Sequence, residues 1–542
     1  MSAPKEFWEL GTCLAKLKSD DLNQQQVAAL HLKAHADREA RIRTTQEFNL
    51  YMEEICKNIH DFCGSHNRNE RMGGILLIRN LIDVVYADHD LHLQKLGRYL
   101  QKIIDYKTDV KDHIPELAAQ TLGHLVQANP TSADIFDRQI RLAFEWLGSG
   151  TRNEYHIYMA MLIIRELAKA APTLFQEHVH SFVKTVWIGI TDAKHEIRET
   201  SKLALRQVFQ LIGKKKAANS YFRLFNMARK EIQTKNSSNI HGAILVIGEL
   251  LAQDEPSHIM GYYEDICRIF FKHKDARPPL LREAIIKLMP RLAHFNPERF
   301  SREYLDMCVR HIIQEHKMQS VPPEITYTAL GGVAMAVRER IMSNIPAIIS
   351  VLDEGLTRSR RQNAPSIATN ALRCIAMLAE AIGPLLGAFA SDLVDKMIKN
   401  GLTSDSGETL VRSLTALVNH VKDRRLLNDI QKRLLAAIFQ ILLPTSALPA
   451  AITGATAAAS GNSVSSGGNF VLPSSETGIM GDVVKILRNA ASSTSQDAKK
   501  ADDPGVIRLA LHTIGTFNFN NIRLLWFVYQ CLIPYLDHPV AT

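Results

Sequence analysis

The 542-residue chain contains few cysteines, and their arrangement excludes two common uses of that residue. The seven cysteines are an odd number, lie far apart in most cases, and never form a Cys-x-x-Cys pair: Cys13, Cys56, Cys63, Cys267, Cys308, Cys374 and Cys531. This pattern disfavours both a disulfide framework and a zinc site. We therefore expect a reducing compartment, the cytoplasm or the nucleus.

Long uninterrupted apolar runs are also missing. No stretch approaches the roughly 18 to 20 consecutive apolar residues that a membrane helix needs. The first twenty residues, Met1–Asp20, carry charges throughout, which is unlike a secretory signal. The sequence therefore predicts a soluble protein without a transmembrane segment.

Motifs that carry enzyme chemistry are not found in the chain. It has no GxGxxG or GxxxxGK[ST] phosphate loop, no GxSxG nucleophile turn and no HExxH zinc motif. His31 and His35 share a helix face, and His178 lies close to His180, but neither pair has a third ligand at a suitable spacing. The sequence predicts no catalytic residue, no metal site and no cofactor, so we expect no enzyme activity from this chain alone.

The excess of positive charge is modest for the length, with a formal net charge of +8 and a pI near 9.0. Dense basic clusters are short, and we interpret them first as solvated helix ends or loops. The alternative is a patch that binds an anion or an acidic partner. Its candidate residues are Lys214, Lys215, Lys216, Arg358, Arg360 and Arg361. A nucleic-acid partner is not expected.

The sequence is rich in one pattern, an apolar helix that returns ten times. Successive copies lie about 42 residues apart, as from Leu125 to Leu167 and from Val208 to Leu250. The copies are Arg71–Ile82, Ile114–Val126, Ile157–Ala168, Glu196–Phe209, Asn239–Leu251, Leu281–Ala293, Tyr327–Val337, Ala371–Ala379, Thr409–Val418 and Val506–Phe517. A fixed period of this size indicates stacked pairs of antiparallel helices. The predicted fold is an all-α solenoid.

Small residues recur on the apolar face of these helices, including Gly73, Gly74, Gly242, Gly331 and Gly332. A glycine inside a helix costs up to about 1 kcal/mol relative to alanine. We expect the helix of the next repeat to approach closely at these positions, because a missing side chain lets two backbones pack tightly.

The segment Thr191–Arg198 shows how one unit is connected. Asp192 falls in the turn between two helices, and Arg198 falls early in the second helix. An N-capping carboxylate and a nearby guanidinium can pair between neighbouring repeats. This Asp-x4-Ile-Arg arrangement, in phase with a period of about 42 residues, resembles the HEAT repeat.

Three segments follow from the pattern. Residues 1–443 are predicted to be the repeat solenoid, 444–504 a mostly disordered Ala/Ser/Gly-rich insertion, and 505–542 a resumed, truncated repeat. The apolar run Leu524–Leu536 lacks a polar cap, so we expect the natural protein to continue. Within the solenoid we expect a kink at Pro290. His89, Asp90 and His92 are expected in a polar loop between helices.

Several motifs, in order along the chain, resemble the amino-terminal HEAT region of the target-of-rapamycin (TOR) family of serine/threonine kinases. They are Asn69–Leu76, Phe144–Gly148, Arg152–Glu154, Arg165–Ala168, Pro172–Thr173, Ile240–Ala243, Pro290–Ala293 and Leu509–Gly515. The kinase domain, the FAT region and the rapamycin-binding segment of that family have no counterpart here. The resemblance implies a non-catalytic scaffold arm in nutrient and growth signalling.

The same resemblance implies partners and a location. It implies docking of a Raptor-like subunit, a second TOR protomer in dimeric TOR complex 1, and contact with a Rheb-like small GTPase. It implies a cytoplasmic protein that is recruited to lysosomal or other endomembrane surfaces, with a nuclear pool. The alternative is a HEAT adaptor of another class, a transport receptor or a phosphatase scaffold, although those proteins tend to be acidic whereas this chain is basic.

Overall fold

A computed structural model describes residues 10–128, 133–150, 153–211, 214–252, 260–362, 365–401, 407–421, 425, 428–434 and 438. The regular elements of these residues are all helical. In chain order the α-helices are α1 (Leu10–Leu17), α2 (Leu22–Ile42), α3 (Thr45–Gly64), α4 (Arg68–Leu81), α5 (His89–Asp105), α6 (His113–Ala128), α7 (Asp134–Gly148), α8 (Glu154–Ala170), α9 (Pro172–Phe175), α10 (Val179–Ile190), α11 (His195–Phe209), α12 (Lys214–Ile232), α13 (Ser237–Leu250), α14 (Tyr263–His273), α15 (Pro279–Phe295), α16 (Pro297–Glu303), α17 (Leu305–Met318), α18 (Pro323–Val337), α19 (Ile345–Gln362), α20 (Pro365–Ile382), α21 (Gly387–Gly401) and α22 (Gly407–Val421). Short 3-10 turns occupy Gln176–His178, Arg338–Asn344 and Gly383–Leu386.

The predicted all-α repeat fold is confirmed. Each predicted repeat helix from Arg71–Ile82 to Thr409–Val418 coincides with a helix of the structure, and the predicted Glu196–Phe209 is α11 with one more residue at its start. The predicted helix Val506–Phe517 lies outside the described residues, as do the segments 444–504 and 505–542. Their boundaries stay predictions.

The chain divides into two compact units, Met1–Phe271 and Lys272–Thr542. In the first unit, helices pair in sequence: α3 with α4, α5 with α6, α7 with α8, α10 with α11 and α12 with α13. The second helix of each pair packs on the second helix of the next pair, so α4, α6, α8, α11 and α13 form a continuous row. Leu81, Leu125 and Leu167 on this row are fully buried. The 42-residue spacing of apolar anchors thus reflects one core position per repeat.

The second unit has the same construction. Helices α15, α18, α20 and α22 pack in a row, while α17 contacts α18, α19 contacts α20, and α21 contacts α22. One stretch, Ser366–Ile398, has the length and composition that could cross a membrane. It is divided between α20, a 3-10 turn and α21, and its residues Leu372, Ile375 and Leu378 are fully buried among neighbouring helices. The apolar residues of this stretch therefore belong to the core of the repeats.

Close approach of helices explains the glycines in the first unit, as predicted. A Cβ atom on Gly73 would overlap the carbonyl oxygen of Leu17, and one on Gly242 would overlap the carbonyl oxygen of Ile190. At Gly74 a Cβ atom would lie 3.1 Å from the Sγ atom of Cys63. The missing side chains therefore let one repeat pack on the backbone of the preceding one.

The second unit uses glycine in the same way. A Cβ atom on Gly331 would lie 2.7 Å from the Sδ atom of Met377, and one on Gly332 would lie 2.8 Å from the Cβ atom of Pro290. Helix α15 runs without interruption across Pro290 from Pro279 to Phe295. Gly332 therefore provides space for the proline ring of the adjacent repeat.

The expectation of a polar loop at His89, Asp90 and His92 is wrong. These residues form the first turn of α5, and His92 is only 2% exposed. Its Nδ1 atom lies 4.0 Å from the Sγ atom of Cys56 on α3. Burial, with smaller contributions from the charges of His89 and Lys95, lowers the pKa of His92 to about 4. Packing against α3 thus overrides the polarity of the local sequence, and the buried imidazole is neutral near pH 7.

The low pKa of His92 predicts a specific loss of stability in acid. The unfolded chain binds a proton near the ordinary pKa of 6.5, whereas the folded protein does so only near 4. Its contribution to stability is present above pH 6.5 and is lost as the pH falls towards 4. Between pH 7.5 and 5.5 we expect the wild type to lose about 1.4 kcal/mol more free energy of unfolding than His92→Leu.

Urea denaturation at the two pH values measures this difference. His60→Leu, which removes an exposed histidine, is the control and should follow the wild type. An equal pH dependence in the wild type and in His92→Leu would contradict the prediction.

Candidate partner-binding surface at the repeat turns

Arg198 organises the turn between α10 and α11. Its Nη1 atom donates hydrogen bonds to the backbone carbonyl groups of Asp192 and Ala193, at 2.6 and 2.7 Å. Its Nε atom donates to the Nδ1 atom of His241 on α13, at 3.0 Å. The guanidinium is 3% exposed, so it joins one repeat to the next from inside the protein. The contact between repeats at this turn therefore includes an arginine–histidine hydrogen bond.

The predicted N-capping role of Asp192 needs a correction. The N-cap residue of α11 is Lys194, whose side chain makes no capping bond. Asp192 lies two residues earlier, and its Oδ1 atom accepts a hydrogen bond of 2.8 Å from the backbone N–H of Lys194. The carboxylate thus orders the turn that leads into the helix, which is the role of an Asx turn.

Two further arginines repeat this arrangement, and sequence reasoning overlooked them. The Nη1 atom of Arg71 donates to the carbonyl groups of Ser65 and His66, at 3.0 and 3.1 Å. The Nη1 atom of Arg282 donates to those of Ala276 and Arg277, at 2.8 and 3.0 Å. Each arginine reaches back five and six residues, as Arg198 does. The common phase of these three positions within the repeat is the signal that could have identified them.

An open, polar groove on the first unit lies along the turns that precede α6, α8 and α11. It has a volume of about 680 Å³ and is lined by Lys107, Thr108, Asp109, Val110, Asn153, Glu154, Tyr155 and Lys194. The Nζ atom of Lys194 lies 2.8 Å from a carboxylate oxygen of Glu154, and this contact raises the pKa of Lys194. The Tyr155 hydroxyl donates a hydrogen bond of 2.9 Å to the carbonyl of Ile104. We call this region the turn groove.

A second groove lies between helices α5 and α7 of the same unit. Its volume is about 580 Å³, and it is lined by Arg98, Gln101, Asp105, Asp134, Asp137, Arg138, Arg141, Leu142 and Glu145. Charges of both signs are interspersed along it. Such a surface suits a polypeptide that carries both charges better than a simple anion.

The structure describes only part of the basic patch that the sequence predicts. Lys214, Lys215 and Lys216 begin α12, and Arg358, Arg360 and Arg361 lie near the end of α19. The side chain of Arg358 is half-buried, and the structure describes only the backbone of the other five residues. The two clusters belong to different units. A role in anion binding stays a prediction.

The cysteines that the structure describes are all buried: Cys13, Cys56, Cys63, Cys267, Cys308 and Cys374. Burial raises the pKa of Cys63 and of Cys374 to about 12, and that of Cys56 to about 11. These three thiols are therefore protonated near neutral pH and are poor nucleophiles.

Comparison with curated proteins finds TOR kinases among the relatives of this chain, although no family model matches the chain. The serine/threonine-protein kinase TOR of Oryza sativa subsp. japonica is 30% identical over 520 residues, which are 94% of this chain. The protein of the same name from Arabidopsis thaliana is 28% identical over 530 residues, and tor1 of Schizosaccharomyces pombe is 27% identical over 527 residues. Each of these two alignments covers 96% of this chain.

The chain spans only about a fifth of these relatives, 19% of the two plant proteins and 21% of tor1. Among solved structures, the karyopherin Kap121p bound to the SUMO protease Ulp1p is similar with a TM-score of 0.46 and 14% sequence identity. That similarity covers 95% of this chain and 56% of the karyopherin.

Proposed function

This chain is a relative of the TOR-family serine/threonine kinases along their amino-terminal HEAT-repeat region, and from that premise we propose that it is a non-catalytic scaffold arm of such a kinase. Its task is to hold partner proteins, while chemistry belongs to other parts of the TOR proteins. The observation that carries the proposal is the match along 94 to 96% of this chain with relatives that share one name and one type of activity.

The repeat architecture supports this role physically. Each repeat buries its apolar face against its neighbours, so side chains on the turns and outer helices remain for recognition. In the first unit the turn groove is held by hydrogen bonds between repeats, such as the bond from Tyr155 to Ile104. A surface that is ordered before binding loses less entropy when a partner docks.

The partners that fit this proposal are those of a TOR complex. We propose a Raptor-like subunit as the occupant of the turn groove and a second TOR protomer as a further partner in dimeric TOR complex 1. Contact with a Rheb-like small GTPase is part of the same proposal. The location proposed is the cytoplasm, with recruitment to lysosomal or other endomembrane surfaces and a nuclear pool.

Binding to a purified Raptor-like subunit tests the proposal. We expect the 542-residue chain to bind it saturably, and we expect Lys107→Glu combined with Lys194→Glu to raise the Kd by about tenfold, because reversing two charges in the turn groove changes the electrostatic complementarity that the partner meets. Isothermal titration calorimetry measures both values.

Lys169→Glu, which reverses an exposed lysine at the far end of α8, is the matched control and should bind like the wild type. Absence of binding by the folded wild-type chain would reject the docking role. Equal binding by the double variant would instead remove the turn groove as the site.

A further inference from the structure

Three side chains that could share a cation meet in the second unit. Asp275 lies in the turn before α15, while His311 and Glu315 lie four residues apart on one face of α17. One potential ligand atom from each residue lies within 4.8 Å of the others. The three residues come from neighbouring repeats, and none of them takes part in the arginine–carbonyl contacts described above.

The side chain of His311 is only 3% exposed, and within the described residues it makes no hydrogen bond. Its Nδ1 atom lies 3.7 Å from the Oδ1 atom of Asp275, which is too far for a hydrogen bond. Its Nε2 atom is buried without any hydrogen-bond partner. Because a neutral imidazole has one lone pair and one N–H, His311 can offer its Nδ1 atom to an ion only when its hydrogen is on Nε2.

The distance between His311 and Asp275 agrees with ligands that share a metal ion. With metal–ligand bonds of about 2.0 to 2.2 Å in a tetrahedral site, two donor atoms lie about 3.3 to 3.6 Å apart. The observed 3.7 Å between Nδ1 and Oδ1 is close to this range. The distance between these two atoms therefore fits two ligands of one metal ion better than it fits a hydrogen bond.

Charges of both signs surround the site. Burial lowers the pKa of His311, as do the positive charges of Lys274 and Arg282, while the charges of Glu315 and Asp275 act in the opposite direction. Asp275 and Glu315 carry the two negative charges that would balance a divalent ion, and each carboxylate already has a cationic neighbour, Lys274 or Arg282.

Arg282 is the group that competes most directly for this site. Its Nε atom lies 3.0 Å from the Oε2 atom of Glu315, yet this N–H has no hydrogen-bond acceptor, because it is not directed at that oxygen. The Ser320 hydroxyl also donates to Oε2. The Oε1 atom of Glu315 can therefore bind a cation while Oε2 keeps both of these neighbours. Lys274, which pairs with the exposed carboxylate of Asp275, can move into solvent.

A second cluster in the first unit, formed by His195, Glu199 and His241, lacks these properties. Arg198 donates a hydrogen bond to the Nδ1 atom of His241. Because a neutral imidazole has one lone pair and one N–H, the Nε2 atom of His241 then carries the hydrogen and cannot bind a metal. In this second cluster a contact within the protein already occupies the imidazole nitrogen that a metal ion would need.

We propose that Asp275, His311 and Glu315 form a Zn²⁺ site that clamps the turn before α15 to α17. One nitrogen and two carboxylate oxygens suit zinc, and three protein ligands leave a coordination position open to water or to a partner's side chain. Asp275 and His311 are 36 positions apart in the sequence, so no short motif marks the site. The site is a local clamp that does not depend on the proposed scaffold role.

Titration of the metal-free 542-residue chain with ZnCl₂ tests the proposal. We expect one saturable equivalent by calorimetry and a rise of several degrees in Tm. Asp275→Ala should weaken binding at least tenfold. This substitution changes a side chain that is 66% exposed, so the fold should persist. His311→Gln should abolish the bound equivalent, with circular dichroism to verify folding.

Asp61→Ala is the matched control because Asp61 is equally exposed, at 66%, and also lies beside a histidine, His60. It should bind zinc like the wild type. CoCl₂ gives a second readout, since tetrahedral Co²⁺ produces a visible absorption band that should be lost in Asp275→Ala. The proposal is overturned if the wild type shows no saturable equivalent, or if Asp275→Ala and Asp61→Ala bind equally well.

Discussion

Gly242→Ala is expected to lower the free energy of unfolding by about 3 kcal/mol, the upper part of the usual range for overpacking. The new methyl group would overlap the carbonyl oxygen of Ile190 and would lie 2.8 Å from its carbonyl carbon. Both atoms belong to the backbone of the preceding repeat, so no flexible side chain can move aside. Relief requires separation of α13 from the end of α10, which would also disturb the hydrogen bond between Arg198 and His241.

The effect is measured by urea denaturation, followed by circular dichroism at 222 nm. Gly148→Ala is the matched control, because nothing lies within 4 Å of a Cβ atom placed at Gly148, the last residue of α7. It should leave the midpoint unchanged or raise it slightly, since alanine favours a helix more than glycine does. Equal midpoints for the two variants would show that the repeats do not pack as closely as described.

Arg198→Ala is expected to be similarly costly, at about 3 kcal/mol, since three hydrogen bonds from a charged donor are lost. The carbonyl groups of Asp192 and Ala193 and the Nδ1 atom of His241 would all lose their donor. The hydrogen bonds to Asp192 and His241 are buried and the one to Ala193 is partly buried, so water cannot easily replace the guanidinium at all three acceptors. The large effect therefore comes from the acceptors left unpaired.

Arg198→Lys separates geometry from charge. Lysine keeps the positive charge, but its single ammonium cannot reach three acceptors in the arrangement of the planar guanidinium, so most of the loss should remain. Arg302→Ala removes an arginine that is 77% exposed and should change stability by less than about 0.5 kcal/mol. Thermal and urea denaturation provide the measurements. If Arg198→Lys were as stable as the wild type, the role of Arg198 would not depend on the geometry of its guanidinium group.

The helices could be predicted from the sequence because their cause is local. An apolar side chain every third or fourth residue creates a stripe that must be buried, and the stripe at Glu196–Phe209 reappears as the buried face of α11. The close approach at Gly73 and Gly242 was predictable for a related reason, since glycine inside a helix needs compensation from packing.

Polar residues were harder to place from the sequence. His92 has polar neighbours in the chain, and only the packing of α5 on α3 makes it a buried, neutral side chain. The arginines at positions 71 and 282 look like ordinary charged residues until their guanidinium groups are seen against backbone carbonyl groups. A hydrogen bond depends on distance and direction, which a sequence pattern does not specify.

The sequence by itself determined the repeat and the all-α class, and it carried the resemblance to the TOR kinases, because these follow from periodic apolar residues and from motifs in a fixed order. Tertiary structure decided which polar groups meet. Arg198 binds His241, 43 positions away, and Asp275 lies beside His311, 36 positions away. Such pairs form only when consecutive repeats stack. The energy of a polar interaction changes when the separation of its two atoms changes by a few tenths of an ångström, and only the packed helices set that separation.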